Sequence, residues 1–383
     1  MLIAATALMF AALATATHLA TILLVATRYA NGRRQRSATR QAAGVTLVRP
    51  IRDCDAIEER TLRSSFQLEH PNFEILFCAA SEQDAAVPIV RRLIIQHPNV
   101  PARLLIGENR ISSNAKLNNM VKGWDAAAFD WIVFADSNLI LPSDYLDRVT
   151  DAWRPDTGAV CAPPVGSEPA NFWAEVECAF LNGYQARWQY AADGVGYGFA
   201  QGKTMHFKRS ILDRCGGLHA LAVEPAEDAA TTKAVRAHGL RVRLAEPGFC
   251  QPLGKRTAEQ VLARQARWAL LRRKTFPALF GLEVLTGSIA PAAAIAIAAS
   301  HFDWPVAAVV SGHLAVWLGS EAGLVLWAGW HFSWRSPLAW LVRDLLLPII
   351  WLKGWLSSTY AWRGDVVVIQ RSGGTVEAAA PRQ

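Results

Sequence analysis

The chain has 383 residues, of which 52% are hydrophobic and 19% are charged, and its mean hydropathy is positive. It can bury a sizeable core, but its apolar residues are concentrated at the two ends. The formal net charge of +7 could suggest a nucleic-acid partner. The cations cluster beside the apolar segments, however, so an anionic membrane surface is the simpler partner and no nucleic acid is expected.

The N-terminal segment predicts a membrane anchor. Residues 1–27 carry no charged side chain, and as a helix they can cross a hydrocarbon core of about 30 Å. A cleaved signal peptide is the competing interpretation, but the cationic start of such a peptide is missing and the apolar run is too long. We therefore expect a retained anchor at 1–28. Five arginines follow and place the next residues in the cytosol by the positive-inside rule: Arg28, Arg33, Arg34, Arg36 and Arg40.

The middle of the chain, 29–275, predicts a cytosolic enzyme-like domain. Short apolar runs alternate there with amphipathic stretches. This alternation favours a doubly wound, mainly parallel α/β sheet that binds ligands beyond the carboxyl ends of its strands. The predicted strands and helices alternate in this order: "VTLVRP", 56–68, "FEILFCAA", 85–97, "ARLLIG", 114–128 and "WIVFAD".

Two acidic positions in this domain carry possible chemistry. Asp136 ends the strand "WIVFAD" and, with Asn138, could coordinate a divalent cation that bridges nucleotide phosphates. Glu227 and Asp228 precede an amphipathic helix, where a carboxylate could act as a general base. The alternative at both positions is helix capping, since acids in a first turn are favoured by the helix dipole.

A cationic motif precedes the C-terminal apolar block. In "RQARW" (264–268), Arg264 and Arg267 lie one helical turn apart and could bind a diphosphate, with Trp268 as an apolar wall. A juxtamembrane basic belt is the alternative, and it explains the cations at 272–274. The strand-end carboxylate, the acidic pair and this motif occur in this order along the chain. Together they favour the diphosphate-binding interpretation more specifically than any one of them does.

The C-terminal block predicts a membrane domain at 276–360 with two or three spans, followed by a tail at 361–383. Segments 279–300, 304–330 and 337–358 each have about the length of a span. Nine of the fifteen tryptophans lie from Trp304 onward, as expected of rings that favour headgroup level. The third segment contains Arg343 and Asp344, so it either pairs them inside a bundle or lies in the interface.

Taken together, these motifs resemble those of the ceramide glucosyltransferase family, glycosyltransferase family 21, a relative of family 2. The likeness covers nearly the whole chain. It is carried by an N-terminal anchor and by "VRPIRDCDAIEERTLRSSFQLEHPNFEILFCAA" (48–80), "NAKLNNM" (114–120), "ADSN" (135–138), "CGGL" (215–218), "AEDAATTKAV" (226–235), "RQARW" (264–268), "AWLVRDLLLP" and "WRG".

The resemblance implies a fold and an activity. The fold is an α/β GT-A domain, a doubly wound nucleotide-sugar-binding domain, joined to α-helical transmembrane segments. The activity is inverting transfer of glucose from UDP-glucose to a lipid hydroxyl, with ceramide as the expected acceptor and Mg²⁺ or Mn²⁺ as cofactor. Diacylglycerol or hopanoid acceptors and other UDP-sugars stay open. A non-catalytic membrane scaffold and a processive polysaccharide synthase are less favoured. We expect an integral protein of a bacterial inner membrane whose catalytic domain faces the cytosol.

Site residues follow from the same resemblance. Family members carry three separated aspartates and an (Arg/Gln)-x-x-Arg-Trp motif. The first aspartate, which contacts uridine, corresponds to Asp84, with Glu82 as the fallback. The second and third correspond to Asp136, as a metal ligand beside Asn138, and to Asp228, as the base. The last motif corresponds to Arg264, Arg267 and Trp268, and the donor is also positioned by Lys116 and Asn119.

The chain departs from the family pattern at three places. Asp136-Ser137-Asn138 stands where many sugar transferases have Asp-x-Asp, which implies that one carboxylate holds the metal weakly. Gln185 stands where some eukaryotic relatives have a histidine. The stretch "QGKTMHF" (201–207) replaces a small, apolar-rich pattern and is expected to line the acceptor side.

Overall fold

The computed structural model describes residues 1–34, 43–53, 56–362 and 365–368. The predicted cytosolic cations Arg36 and Arg40, and most of the predicted tail at 361–383, lie outside the described residues.

A central sheet of seven strands organises the middle of the chain, in the order β3-β2-β1-β4-β7-β5-β8. Strands β1 to β4 are parallel, and β7 runs antiparallel to both β4 and β5. Two further pairs are β6 with β9, parallel, and β10 with β11, antiparallel. The strands are β1 (Val45–Ile51), β2 (Phe73–Ala79), β3 (Ala102–Ile106), β4 (Trp131–Ala135), β5 (Thr157–Cys161), β6 (Pro164–Pro169), β7 (Thr204–Lys208), β8 (Arg241–Leu244), β9 (Phe249–Gly254), β10 (Thr359–Trp362) and β11 (Asp365–Val368).

Helices cover the sheet and form the two apolar ends. They are α1 (Leu2–Arg34), α2 (Ala56–Arg63), α3 (Ala86–Gln96), α4 (Ala115–Ala126), α5 (Tyr145–Asp151), α6 (Phe172–Ala179), α7 (Arg187–Gly194), α8 (Arg209–Arg214), α9 (Gly217–Ala220), α10 (Glu227–Ala237), α11 (Ala258–Thr275), α12 (Pro277–Leu282), α13 (Ile289–His301), α14 (Val306–Ala328) and α15 (Ser336–Leu356). A π-helical segment, Phe180–Ala186, joins α6 to α7.

The predicted doubly wound sheet is confirmed, and its strands follow from the sequence. All seven residues of β1 are buried, because helices cover both faces of the sheet, and its polar side chains Thr46 and Arg49 are hydrogen-bonded inside the protein. Consequently the apolar runs "VTLVRP", "FEILFCAA" and "WIVFAD" read as continuous rather than alternating. The antiparallel insertion of β7 brings the start of that strand beside the carboxyl end of β4.

The membrane part consists of long apolar helices. Two of the described helices are long and apolar enough to cross a membrane, Leu2–Ala30 and Val306–Ala328. A third candidate is the pair Pro277–Leu285 and Ile289–His301, which is bent by 50°. Helices α1, α13 and α14 pack together. The first two predicted C-terminal segments therefore appear as the bent pair and α14.

The third predicted C-terminal segment corresponds to α15, and it differs from the other two in packing and in hydropathy. It packs against α6 and α11, and it is not among the described helices that are long and apolar enough to span. Its buried face carries Arg343 and Asp344, while Leu345, Ile349 and Leu352 are exposed. An apolar exposed face beside a domain-facing polar one is typical of a helix in the interfacial layer.

A buried ion cluster holds α15 to α14. Arg343 donates to Glu321 Oε2 over 3.0 Å and to its neighbour Asp344 Oδ1 over 2.8 Å. Glu321 reaches the cluster because residue 183 of the π-helical segment is glycine: a Cβ there would lie 1.8 Å from Glu321 Oε1. Asp344 in turn accepts from the Ser288 N–H at 2.9 Å. The two acids thus share one arginine inside the protein.

Removing that arginine should destabilise the junction strongly. Arg343→Met leaves Glu321 and Asp344 as adjacent buried carboxylates, and breaking a buried ion pair costs about 3–5 kcal/mol. We expect a clearly lower thermal midpoint in detergent, measured by intrinsic fluorescence. Arg335→Met, at an exposed position beside Trp334, is the matched control and should leave the midpoint near that of wild type. Equal midpoints for Arg343→Met and wild type would contradict this role.

Candidate functional site

The candidate site lies where β4 ends and β7 begins. Asp136 directly follows β4, and its N–H donates to the Lys203 carbonyl over 3.0 Å. This bond continues the antiparallel ladder in which Ala135 pairs with Thr204. The loop that precedes β7 is thereby fixed against the strand-end carboxylate that the sequence singles out.

Lys116 joins two acidic positions. Its Nζ lies 2.8 Å from Asp136 Oδ1 and 2.8 Å from Glu227 Oε1, and it also donates to the Gly202 carbonyl. Asn114 caps α4 and so positions Lys116 in its first turn, while the Asn114 amide donates to Glu227 Oε2 over 2.6 Å. Burial alone would lower the pKa of Lys116, but the two carboxylates raise it above its ordinary value.

A second lysine binds the other oxygen of Asp136. Lys203 Nζ lies 2.7 Å from Asp136 Oδ2 and donates to Asn138 Oδ1 over 3.0 Å. Burial would raise the pKa of Asp136, but the ammonium groups of Lys116 and Lys203 hold it well below its usual range. Burial lowers the pKa of Lys203, against the pull of Asp136 and with the help of the nearby positive charge of Arg264.

Asp228 lies in the first turn of α10 and faces the same loop. Its Oδ2 accepts from the Gly202 N–H over 3.1 Å, and its Oδ1 accepts from the Ala229 N–H over 2.8 Å. Burial and the adjacent charge of Glu227 raise the pKa of Asp228 to about 6. A Cβ at residue 202 would lie 2.7 Å from Glu227 Oε1 and 3.5 Å from Asp228 Oδ2. A side chain at residue 202 would therefore displace the carboxylate of Glu227, whereas Asp228 would stay at an ordinary contact distance.

The cationic motif lies on α11, whose start is fixed by a capping box between Thr257 and Gln260. Arg264 makes an ion pair with Glu177 of α6, a carboxylate that is fully buried. The guanidinium of Arg264 also lies 6.0 Å from the centre of the Trp268 ring. The ion pair between Arg264 and Glu177 thus fixes the motif on α11 against α6.

Two further predicted donor residues, Asp84 and Asn119, lie at the ends of β1 and β2. Asp84 Oδ1 accepts from the N–H groups of Asp53, at 3.0 Å, and Ala86, at 2.9 Å, at the loop that follows β2. Asn119 is buried, and its amide donates to the carbonyls of Ile51, at 3.3 Å, and Cys78, at 2.6 Å. The structure thus brings Lys116, Asp136 and Asp228 together, whereas the Asn119 amide ties the ends of β1 and β2.

The cations beyond the motif make contacts within the protein. Arg272 forms a bidentate ion pair with Glu283, in which it donates to Oε1 over 2.7 Å and to Oε2 over 2.9 Å. Arg273 donates to the backbone carbonyls of Trp355 and Ser357 at the end of α15. These bonds attach α11 to the membrane part. A role of these two arginines at anionic headgroups stays a prediction that their geometry does not favour.

Comparison with known sequences identifies the family. The model of glycosyl transferase family 21 matches residues 8–376. The chain belongs to this family. Ceramide glucosyltransferase 1 of Caenorhabditis elegans is 28% identical to the chain over 329 residues, covering 84% of the chain and 71% of that protein. The ceramide glucosyltransferase of Komagataella phaffii is 38% identical over 116 residues, covering 29% of the chain and 23% of that protein.

A solved structure supports the fold. The mannosyltransferase PcManGT from Pyrobaculum calidifontis, in complex with GDP-Man and Mn²⁺, aligns with a TM-score of 0.52 at 19% identity. The alignment covers 88% of this chain and 99% of that one. The predicted GT-A fold is therefore confirmed, and this family 21 member is a glycosyltransferase.

The donor chemistry of the predicted metal site can be tested against these contacts. The oxygens of Asp136 and Asn138 do converge on one cation, which is the ammonium of Lys203. Carboxylate and amide oxygens suit Mg²⁺ or Mn²⁺. Within the described part of the chain, no group of three or more His, Cys, Asp and Glu side chains could hold a metal ion. The oxygens of Asp136 and Asn138 are thus ligands of the type that Mg²⁺ or Mn²⁺ prefers, but the described residues offer few further ligands.

Three residues of this glycosyltransferase site were missed by the sequence reasoning: Gly202, Lys203 and Glu177. The stretch "QGKTMHF" was assigned to the acceptor side, whereas its lysine binds Asp136. Its departure from the apolar family pattern was the available signal. Glu177 carries no local signal, because its partner Arg264 lies on another helix and the pair is set by tertiary packing.

If Asp228 is the general base that the sequence predicts, the pH dependence of turnover should report its ionisation. A general base must be ionised, and a raised pKa keeps the carboxyl protonated to higher pH, so kcat/KM should fall below about pH 6. Glu227→Gln removes the neighbouring negative charge, lowers the pKa of Asp228 and should move this acidic limb to lower pH. The profile is measured by UDP release. Glu224→Gln, which breaks only the exposed pair with Lys233, should leave the limb unmoved. An unchanged limb in Glu227→Gln would contradict the coupling.

Proposed function

We propose that this glycosyltransferase transfers glucose from UDP-glucose to the primary hydroxyl of ceramide, with inversion at the anomeric carbon. The observation that carries the proposal is Asp228, a carboxylate of raised pKa that lies across Gly202 from the Lys116 and Asp136 cluster. A base and a set of phosphate-binding cations within one pocket are what a single displacement on a nucleotide sugar needs.

The donor would lie along the carboxyl ends of the strands. Asp84, in the loop after β2, is assigned to uridine, and its anchored position at the start of α3 supports this. Lys116 and Lys203 offer positive charge beside Asp136, and Arg264 extends it from α11. A planar guanidinium can bind two phosphate oxygens through two parallel N–H groups in a fixed fork, a geometry that an ammonium does not offer. Asn119 would act indirectly, by holding the strand ends.

The chemistry then requires one proton transfer. Asp228 accepts the proton of the lipid hydroxyl as the hydroxyl oxygen attacks the anomeric carbon, and UDP leaves from the opposite side. General base action contributes about two to four orders of magnitude in rate. Arg264 and Arg267 would stabilise the charge that develops on the departing diphosphate, and the pair with Glu177 holds Arg264 in place before the reaction starts. Trp268, half-buried against Cys178 and Leu181, closes this side of the pocket.

The acceptor assignment rests on how the site meets the membrane part. Helix α11 carries Arg264 and Arg267 and packs against α15, where Ala269 and Gly354 allow close approach of the two helices. A two-chain lipid cannot leave the bilayer cheaply, since each exposed methylene costs about 0.8 kcal/mol. A pocket that borders an interfacial helix lets the lipid hydroxyl reach the base while its chains stay in the membrane.

A divalent cation, Mg²⁺ or Mn²⁺, is part of the proposal. Asp136 and Asn138 would be its protein ligands, and the cation would supply further positive charge for the diphosphate. We also propose that the catalytic domain faces the cytosol of a bacterial inner membrane. The arginines after the first span support this orientation.

Two alternatives lead to different results in one assay. Diacylglycerol and hopanoids also present a hydroxyl beside apolar groups, so a transferase acting on them would need the same base and cations. A non-catalytic scaffold would need neither Asp228 nor the lysine-bridged carboxylates. The substrate therefore has to be identified by its product.

Purified full-length protein in mixed micelles should form glucosylceramide from UDP-glucose and ceramide, detected by mass spectrometry together with UDP release. Diacylglycerol and hopanoid in place of ceramide should give less product. Asp228→Asn keeps the size of the side chain but cannot accept the proton, so turnover should fall by about two orders of magnitude or more.

Asp213→Asn is the matched control, because Asp213 is an acid on α8 that no described contact joins to the cluster, and it should keep wild-type turnover. Equal turnover of Asp228→Asn and wild type would remove Asp228 from the mechanism. Product from diacylglycerol or hopanoid alone would replace the acceptor, and the absence of any glycolipid with every acceptor would favour the scaffold.

A further inference from the structure

Lys203 occupies a position that calls for explanation. Its ammonium lies 2.7 Å from Asp136 Oδ2 and 3.0 Å from Asn138 Oδ1, so it bridges the carboxylate and the amide two residues further on. Those two oxygens are the ones that the proposed function gives to a divalent cation. A lysine ammonium and a metal ion cannot occupy this position together.

The backbone on both sides of Lys203 fixes the residue there. Its carbonyl accepts from the Asp136 N–H over 3.0 Å, and its own N–H donates to Gln201 Oε1 over 2.6 Å. Thr204, the next residue, pairs with Ala135 in the sheet. The side chain is only 15% exposed. The backbone of Lys203 is thus fixed by the hydrogen bonds between β4 and β7. In this respect Lys203 differs from a surface lysine whose side chain pairs with a carboxylate without any backbone constraint.

Lys116 has a different task. It is shared among Asp136 Oδ1, Glu227 Oε1 and the Gly202 carbonyl, three oxygens that match the three protons of its ammonium. It therefore connects the two acidic segments through oxygens other than those that Lys203 binds. Lys203 is the cation that would have to move if Asp136 Oδ2 and Asn138 Oδ1 were to bind a metal ion.

We propose that Lys203 is a built-in cation that competes with the divalent metal for Asp136 and Asn138. The protein then binds Mn²⁺ weakly, and the ammonium neutralises part of the diphosphate charge when no metal is bound. This inference has two halves: the competition between Lys203 and the metal ion, and the neutralisation of diphosphate charge by Lys203 when no metal is bound. The second half rests on the proposed function, since it assumes a nucleoside diphosphate in the pocket.

The first half is tested by titrating Mn²⁺ into the purified full chain in detergent, without donor, and following free Mn²⁺ by electron paramagnetic resonance. Lys203→Met should bind Mn²⁺ at least tenfold more tightly than wild type, because Asp136 and Asn138 lose their internal cation. Lys203→Arg keeps the charge and should stay close to wild type. Lys208→Met, at the other end of β7 and over the Trp131 ring, is the control and should not differ from wild type.

The second half is tested with UDP. Wild type should bind UDP in excess EDTA within about threefold of its affinity with Mn²⁺. Lys203→Met should lose at least tenfold in EDTA and regain it with Mn²⁺. Lys203→Gln repeats both measurements if the methionine variant does not fold.

Equal Mn²⁺ affinities of wild type and the folded neutral variant would overturn the competition, and wild-type UDP binding that collapses in EDTA would overturn the substitution for metal. Should UDP bind to no form of the protein, the substitution fails together with the proposed donor. The Mn²⁺ titration would still decide the competition by itself.

Discussion

The bridge that Lys116 makes between Asp136 and Glu227 is the interaction on which the site depends. It joins the end of a central strand to the start of α10, and it therefore brings Asp228 to the loop before β7. Two buried carboxylates repel each other unless a cation lies between them, so the lysine is needed for the geometry as well as for the charge. Gly202 completes the arrangement, because it offers backbone N–H and C=O groups where a side chain would not fit.

Ion pairs and hydrogen bonds between distant segments also connect the catalytic domain to the membrane helices. Arg28, near the end of α1, pairs with Asp193 and Glu246 of the catalytic domain. Glu175 of α6 accepts from His331 and Ser336, which flank the turn between α14 and α15. Removing one partner of a buried ion pair is costly, because the other charge is left unpaired inside the protein. The membrane part is thus held at defined points relative to Asp228, as the proposed transfer to an interfacial acceptor would require.

Much of this could be predicted from the sequence, because it depends on local patterns. Continuous apolar runs predicted β1, β2 and β4, and the apolar length of residues 1–27 predicted a membrane-length helix. The positions of Asp136 after a strand and of Asp228 at the start of a helix were predicted correctly, while their roles stay proposals. These signals need only short stretches of chain, and their placement together follows from the rule that ligands bind at the carboxyl edge of a doubly wound sheet.

What could not be predicted depends on partners that are distant in sequence. Arg28 and Arg272 looked like membrane-facing cations, yet they pair with acids of other segments. The sequence could not show whether α15 spans, since that depends on the burial of Arg343 and Asp344 against Glu321. Lys203 had no motif of its own, and only the antiparallel pairing of β7 with β4 brings it to Asp136.

The most direct test of the account is the configuration of the product. A single displacement with Asp228 as base starts from the α-linked sugar of UDP-glucose and must give the β-glycoside. Proton nuclear magnetic resonance of the glycolipid formed by the purified enzyme distinguishes the two anomers by the coupling of the anomeric proton. The account predicts β-glucosylceramide alone, and formation of the α-glycoside would contradict it.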